Sequence, residues 1–319
     1  MHLVVTSPPY PMIAMWDAGF SAVDLEVGVA LGRGDGAAAF ELMHRQLDQA
    51  WVECARVLVP GGWAAINIGD ATRSLAGSFG LWPNHARVLM GALRAGLAPM
   101  PDILWRKPTN APNKFMGSGM LPGGAYVTYE HEYVLLFRKP GTRSFDPARR
   151  RESAYFWEER NRWFSDLWSG LPGERQGQNA GRSRSAAFPR ELPWRLIQMY
   201  SCLGDIVLDP FAGTGTTTAA ALAAGRSSVA VESVAGVLAG APAALAEAVG
   251  WGQARTRERL VDHRAFVAQR VAAGKLPKHL STSYGPVVTG QEADLRLWQP
   301  MAVSPGEGVG AWIGEHGIS

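Results

Sequence analysis

Apolar positions along this chain form two kinds of run. Short continuous blocks stop at proline, glycine or an acidic residue, as strands buried on both faces do. Longer stretches repeat apolar positions at helical spacing. Leu3-Val4-Val5 is the first block, and a Pro-Pro turn ends it. Residues 11–36 are Gly-rich and read as an irregular loop over the site. Phe40, Met43, Leu47, Trp51, Cys54 and Val57 predict a helix over Ala39–Val57, stopped by Pro60-Gly61-Gly62. Trp63–Ile68 is a second strand and ends at Gly69-Asp70. A helix over Asn84–Ala95 follows, with Gly96 at its cap. Ile103–Trp105 and Glu132–Phe137 are further strands. Between them, Lys107–Gly124 is a loop rich in Pro, Gly, Asn and Met. Leu192–Tyr200 is a helix, Asp205–Leu208 a strand, Thr216–Ala224 a helix and Ser228–Val231 a strand ending at Glu232. Thr256–Ala273 is helical and leads into a tail punctuated by Gly and Pro. Strands alternating with helices predict an α/β fold, a mostly parallel twisted sheet with helices on both faces. No internal repeat is visible.

Composition narrows the class without changing the fold. The chain has 319 residues, 47% apolar and 18% charged, which suits a soluble globular protein. No apolar run is long enough to span a membrane, and the N-terminus lacks the basic-then-apolar order of a signal peptide. A cytoplasmic, nucleoid-associated protein is the expectation. Cys54 and Cys202 form neither a CxxC pair nor a disulfide framework, so no metal site is expected. The net charge is +3 and the isoelectric point near 9. Basic residues gather between Arg138 and Arg195, interleaved with Phe145, Tyr155, Phe156, Trp157, Trp163, Phe164 and Trp168. Two readings are open for that stretch. Basic residues suit phosphates and aromatics suit unstacked bases; equally, the stretch is a solvated insert with a small aromatic core of its own.

Chemistry enters at two loops. Asp209-Pro210-Phe211-Ala212-Gly213-Thr214-Gly215-Thr216-Thr217 joins a strand to a helix, the usual ligand position in open α/β sheets. Gly213 and Gly215 let backbone approach a ligand, and Glu232 ends the next strand where it can accept from ribose hydroxyls. A phosphate-binding P-loop needs a lysine that is absent here. A dinucleotide fingerprint needs a third glycine where Thr218 stands. The FxGxG form after Asp-Pro resembles the S-adenosylmethionine (SAM) loop of methyltransferases. The other loop is Thr6-Ser7-Pro8-Pro9-Tyr10. It resembles the catalytic loop of enzymes that methylate an exocyclic amino group of a DNA base. Such a nitrogen is a poor nucleophile because its lone pair is conjugated into the ring. Acceptors aimed at its hydrogens favour the pyramidal nitrogen over the planar one. Ser7 offers a hydroxyl and Pro8 a carbonyl. The prolines, Pro8 and Pro9, hold the turn with little entropy left to lose. Tyr10 offers a ring to stack on an extruded base.

The order of the two loops makes the resemblance specific. Catalytic loop, recognition region, then SAM loop is the order of β-group DNA amino-methyltransferases of the restriction–modification type. The similarity covers roughly residues 3–138 and 186–240. It includes Arg56–Gly62, Ile66–Asp70, Glu132–Phe137 and Ala187-Phe188-Pro189. It implies a Rossmann-like, SAM-dependent methyltransferase fold with permuted motif order and a small target-recognition insert. The implied cofactor is SAM, with Phe188 and Pro189 packed beside it. The implied substrate is double-stranded DNA, with a cognate restriction endonuclease and a homodimer as possible partners. Asn67 and Asp70 either line the target pocket or simply cap a strand end.

Serine before Pro-Pro in this family goes with cytosine-N4 methylation, and Asp or Asn there with adenine-N6. Ser7 therefore points to cytosine N4, with adenine N6 or a non-catalytic SAM- and DNA-binding regulator as alternatives. Cytosine C5 chemistry needs a cysteine nucleophile, and neither cysteine has the context for it. A zinc deaminase is excluded because His131 lacks the H-x-E order and no PCxxC exists. The implied division is residues 1–138 as catalytic half, 139–185 as target-recognition region, 186–255 as SAM-binding half and 256–319 as an extension. Arg149, Arg150, Arg151, Arg160 and Arg162 in the recognition region are candidate DNA contacts, as are Lys107 and Lys114 in the central loop. Family members usually carry a strand and an acidic segment before the catalytic strand. Either the C-terminal region supplies that piece here, or the pocket is more open, or the start is truncated. The extension is expected to cover the sheet edge, or to meet DNA or a second subunit.

Overall fold

The computed structural model describes residues 1–107, 121–124, 126–171, 188–307 and 310–319. Its centre is a sheet built, among the described residues, from seven strands. These are β1 (Leu3–Thr6), β2 (Trp63–Ile68), β5 (Ala98–Arg106), β6 (His131–Arg138), β7 (Leu167–Trp168), β8 (Ile206–Asp209) and β9 (Ser227–Ala230). Their order across the sheet is β7-β5-β6-β2-β1-β8-β9. Strand β1 pairs parallel with β2 and β8, β8 with β9, and β5 with β7. Of these seven only β6 is reversed, antiparallel to both β2 and β5.

The apolar blocks are continuous because helices cover both faces. Val4, Ala64, Ile66, Leu135 and Leu208 pack on one side against α1 (Asp17–Val23), α2 (Leu25–Gly32), α3 (Gly36–Val57) and α4 (Asn84–Arg94). Leu3, Val5, Ala65, Val134 and Val207 pack on the other against α7 (Glu191–Tyr200) and α8 (Thr216–Ala223). The period-two alternation along each strand is what divides the two sets.

Three segments differ from the sequence reading. Residues 11–36 are not an irregular loop but carry α1 and α2. Asp24 caps α2 by accepting from Glu26 N at 3.0 Å, and Phe20, Val27 and Ala30 are buried. A hairpin, β3 (Ala71–Leu75) and β4 (Ser78–Trp82), follows β2 where no element was expected. The division expected between residues 255 and 256 falls inside one helix, α10 (Ala241–Ala272), which follows the short α9 (Ala235–Leu238).

The residues after α10 form two hairpins, β10 (His279–Ser281) with β11 (Gly285–Val287), and β12 (Trp298–Pro305) with β13 (Trp312–Ile318). Leu245 and Ala248 of α10 bury Ala219 and Leu222, so α8 is apolar on both sides because both are covered. Insert and extension are locked together. Within α5 (Pro147–Glu152) and α6 (Trp157–Trp163), the second helix supplies Glu159, which pairs two-pronged with Arg259 at 2.6 and 2.8 Å. Phe156 stacks on His263 at 3.8 Å. Phe156, Trp163 and Trp168 are all buried. These three rings are therefore core and not free to stack on bases. Phe145, Trp157 and Phe164 stay exposed.

Candidate functional site

The parallel strands β1, β2, β5, β8 and β9 end on the same edge of the sheet. The reversed β6 begins there. This direction brings together residues far apart in sequence. They are the Ser7–Tyr10 loop after β1, Gly69-Asp70 after β2, Lys107 after β5, Glu132 at the start of β6, the Gly213 loop after β8 and Glu232 after β9.

A hydrogen-bonded network occupies the Ser7–Tyr10 loop. Ser7 Oγ lies 3.2 Å from the Tyr10 hydroxyl. Tyr10 donates to Glu132 Oε2 at 2.9 Å. Asn67 Nδ2 donates to Glu132 Oε2 at 2.7 Å and to the Tyr10 oxygen at 2.8 Å, with Ser7 Oγ at 3.5 Å. Facing a carboxylate fixes which end of this amide is the nitrogen. Asn67 is buried, and its Oδ1 has no hydrogen-bond partner among the described residues. Lys107 Nζ closes the network on Glu132 Oε1 at 2.8 Å. Gly69 permits this crowding: a Cβ there would stand 3.0 Å from the Tyr10 ring and 3.2 Å from Glu132 Cγ. Burial, and then the Glu132 carboxylate, push the Tyr10 phenol well above its ordinary value, so it remains a donor.

Two buried residues brace the loop from beneath. Asn84 Nδ2 donates to the Pro11 and Gly69 carbonyls at 3.0 Å each, and Asn84 Oδ1 meets His44 Nε2 at 3.0 Å. Thr6 Oγ1 donates to Asp209 Oδ1 at 2.6 Å, tying β1 to β8.

The glycine loop fits a ligand. Gly213 and Gly215 adopt φ of 53° and 86°. A Cβ built on either meets no described atom within 4 Å, so the loop borders open space. Glu232 accepts from Gly213 N and from Val234 N at 2.9 Å each. It is half-buried, and its carboxylate has lone pairs beyond these two bonds. Pro210, Phe211 and Thr216 are also half-buried along the loop, and Phe211 meets Trp51 edge-on at 6.1 Å.

Comparison with known proteins identifies the chain at this point. The profile described as DNA methylase, of the N6/N4 kind, matches residues 1–239. The chain belongs to the N6/N4 DNA methylase family. The methylase is 47% identical over 308 residues to the type II methyltransferase M.MthZI of Methanothermobacter thermautotrophicus, covering 94% of this chain and 85% of that protein. It is 48% identical over 245 residues to M.MjaI of Methanocaldococcus jannaschii, covering 73% and 80%. Among solved structures, TTHA0409 of Thermus thermophilus complexed with S-adenosyl-L-methionine superposes with a TM-score of 0.62 at 33% identity, covering 78% and 86%. The cytosine-N4-specific PvuII DNA methyltransferase shares the fold, with a TM-score of 0.54 at 20% identity, covering 76% and 79%.

Several residues expected at the methylase's site sit elsewhere or serve differently. Asp209 is buried under the loop, held by Thr6 Oγ1 and Phe211 N, so its carboxylate braces the loop instead of facing a ligand. Burial raises its pKa above the usual carboxylate range. Thr217 is buried too, with its hydroxyl directed to the Val5 carbonyl at 3.5 Å. The Asp70 side chain is fully enclosed. It accepts from Tyr129 at 2.9 Å and from His85 N at 3.0 Å, and its Oδ2 lies 2.7 Å from His85 Nδ1. It therefore bonds the first turn of helix α4, which is neither of the two roles weighed for it. Phe188 and Pro189 are buried at the approach to α7. Lys107 is engaged by Glu132, and Lys114 lies outside the described residues.

The arginines depart most. Arg149, Arg150 and Arg151 sit at the opposite end of the sheet from Ser7, because β6 runs backwards and delivers the insert there. Arg149 approaches Gly204 before β8, Arg150 lies 4.6 Å over Phe145, and Arg151 pairs with Asp294 at 3.6 Å. Arg160 lies over Phe164, and Arg162 pairs with Asp262 at 3.6 Å. A groove of about 1590 Å³ lies at this far end, lined by Trp63, Arg143, Tyr155, Phe164 and Tyr200 among others. Its arginines are matched by Asp102, Asp166, Glu292 and Asp294, so its charge is balanced and it holds none of the Ser7 network. Asn84 and His44 had no role from sequence, and Thr6 and Glu132 stood there only as the first residues of a motif and of a strand. An acidic residue opening a strand marks a site only once that strand is known to be reversed.

Proposed function

We propose that this DNA methylase transfers the methyl group of SAM to the exocyclic N4 amino group of a cytosine flipped out of duplex DNA. The observation that carries it is the Ser7 hydroxyl, held among Tyr10, Asn67 and Glu132 on the sheet edge that also carries the open Gly213 loop. SAM supplies, when bound, an electrophilic methyl group on a sulfonium. The backbone of Gly213 and Gly215 would lie against it, with Phe211, Thr216, Phe188 and Pro189 flanking. Glu232 would accept from its ribose hydroxyls.

The chain's own residues prepare the nucleophile. Ser7 Oγ and the Pro8 carbonyl accept the two amino hydrogens and draw the nitrogen lone pair out of conjugation. Asn67 holds this arrangement through its amide nitrogen, which donates to the Tyr10 oxygen and to Glu132. Pro8 and Pro9 hold the turn rigid, so little ordering remains at the moment of transfer. Flipping is needed because the amino group of a paired cytosine is not accessible to such a loop.

The type II names of the two archaeal relatives support a restriction–modification setting, with double-stranded DNA as substrate and an endonuclease reading the same site. The test is nucleoside mass spectrometry of DNA methylated by the purified chain. 4-Methylcytosine supports the reading. 6-Methyladenine would move the same machinery to adenine, and no modified base would favour a SAM- and DNA-binding regulator.

A further inference from the structure

Among the described residues, Glu132 is the carboxylate joined to Ser7 through a hydroxyl group, and its hydrogen bonds have a fixed direction. It can only accept, so Tyr10 donates to it at 2.9 Å. The Tyr10 hydrogen is thereby used, and the 3.2 Å contact to Ser7 must have Ser7 as donor. Asn67 spends its two amide hydrogens on the Tyr10 oxygen and Glu132 Oε2, which leaves the order Ser7 to Tyr10 to Glu132 undisturbed. Lys107 fixes the far oxygen at 2.8 Å. Ser7 thus presents lone pairs to the substrate, and every hydroxyl hydrogen behind it points towards Glu132.

We propose that Ser7, Tyr10 and Glu132 form a proton relay, with Glu132 the terminal acceptor for the proton released when the base amino group is methylated. The inference rests on amino methylation at the Ser7 loop. A nitrogen–carbon bond forms from the amino lone pair, and the carbon–sulfur pair leaves on sulfur. As that bond forms the nitrogen carries one proton in excess, which leaves in the same step, so the relay bears on the rate of transfer. That proton goes to Ser7 Oγ as the Ser7 proton goes to the Tyr10 oxygen and the Tyr10 proton goes to Glu132 Oε2. The products are a neutral methylated base, restored Ser7 and Tyr10 hydroxyls, and a neutral Glu132 acid that returns its proton to water. Ser7 touches the substrate; Tyr10 and Glu132 act through it. Lys107 and Asn67 are positioning residues, which gives Lys107 a place in the chemistry in addition to any contact with DNA.

The test is single-turnover methyl transfer with saturating SAM and DNA, alongside calorimetric affinities for both. Glu132→Gln keeps a side chain of the same length and loses the proton affinity. Lys107→Met combined with it removes the ammonium that the neutral amide no longer balances. A relay predicts that Glu132→Gln, Tyr10→Phe and the Glu132→Gln/Lys107→Met pair each lose on the order of 10²-fold in rate, within the usual range for proton-transfer groups. SAM affinity should stay within about threefold, because none of these groups lies in the Gly213 loop. Combining Tyr10→Phe with Glu132→Gln should lose little more than either alone, as residues acting as one unit do. A Glu132→Gln/Lys107→Met enzyme at the wild-type rate would overturn the relay, since packing alone would then suffice. The rate is read on whichever base carries the methyl group. A product of 6-methyladenine therefore sinks the cytosine assignment without deciding the relay, which these variants decide separately.

Discussion

His44 gives this methylase an acid limb whose size follows from its surroundings. The ring is buried, edge-on to Phe40 at 4.4 Å. Its Nε2 meets Asn84 Oδ1, while Nδ1 is buried with no partner among the described residues. A proton on Nδ1 would place a charge where nothing accepts it. Burial therefore lowers the ring from 6.5 to about 4. A folded value below the unfolded one means that the neutral ring's contribution is complete above the unfolded value. It is lost as pH falls from 6.5 towards 4. At roughly 1.4 kcal/mol per pH unit the gap is worth about 3 kcal/mol, and about 2 kcal/mol of it goes between about pH 7 and about pH 5. Asn84 holds the Pro11 and Gly69 carbonyls, so the loss falls on the brace beneath Ser7–Tyr10. Urea unfolding of wild type and His44→Gln at those two pH values measures it. Glutamine offers Asn84 a donor and does not titrate. The wild type should lose about 2 kcal/mol more than the variant over the interval. Equal losses would refute the buried neutral histidine.

Two further outcomes follow from named contacts. Gly213→Asp should abolish SAM binding in calorimetry while the chain stays folded. A Cβ there meets no described atom within 4 Å, so the added side chain starts into the open space beside the loop, at a φ of 53° that L side chains rarely adopt. Arg259→Met should cost about 3–5 kcal/mol in thermal unfolding, because Glu159 is left charged, buried and uncompensated. Adding Glu159→Gln should recover part of that loss.

The centre of the sheet was legible because β1, β2 and β8 are buried on both faces. Leu3–Val5, Trp63–Ile68 and Glu132–Phe137 announce themselves by continuity and stop signals, which need no tertiary information. The helices over 17–32 were hidden by glycine. Gly19, Gly28, Gly32, Gly34 and Gly36 lower local helix propensity, yet Phe20, Val27 and Ala30 supply a buried face that compensates. The Thr6–Tyr10 and Asp209–Thr217 loops were legible as motifs, but which side chains within them face open space was not. Asp209 and Thr217 look like ligands in the sequence and turn out to brace the loop, because only pairing of β1 with β8 brings Thr6 and Val5 against them. The insert arginines misled for a related reason. Sequence gives their charge, whereas the reversal of β6 decides which end of the sheet receives them. Reversal also brings Glu132 to Ser7, across 122 positions from Tyr10.

The claim that Ser7 and the Gly213 loop serve one transfer reaction has a direct measurement. Tritium transfer from labelled SAM to duplex DNA is followed for wild type and Ser7→Ala, with SAM affinity measured on the same preparations. Loss of one preorganised hydrogen-bonding group should lower the rate by about 10²-fold. SAM affinity should be unchanged, because Ser7 Oγ is held by Tyr10 and Asn67 and not by the Gly213 loop. A Ser7→Ala enzyme that labels DNA at the wild-type rate would contradict that claim.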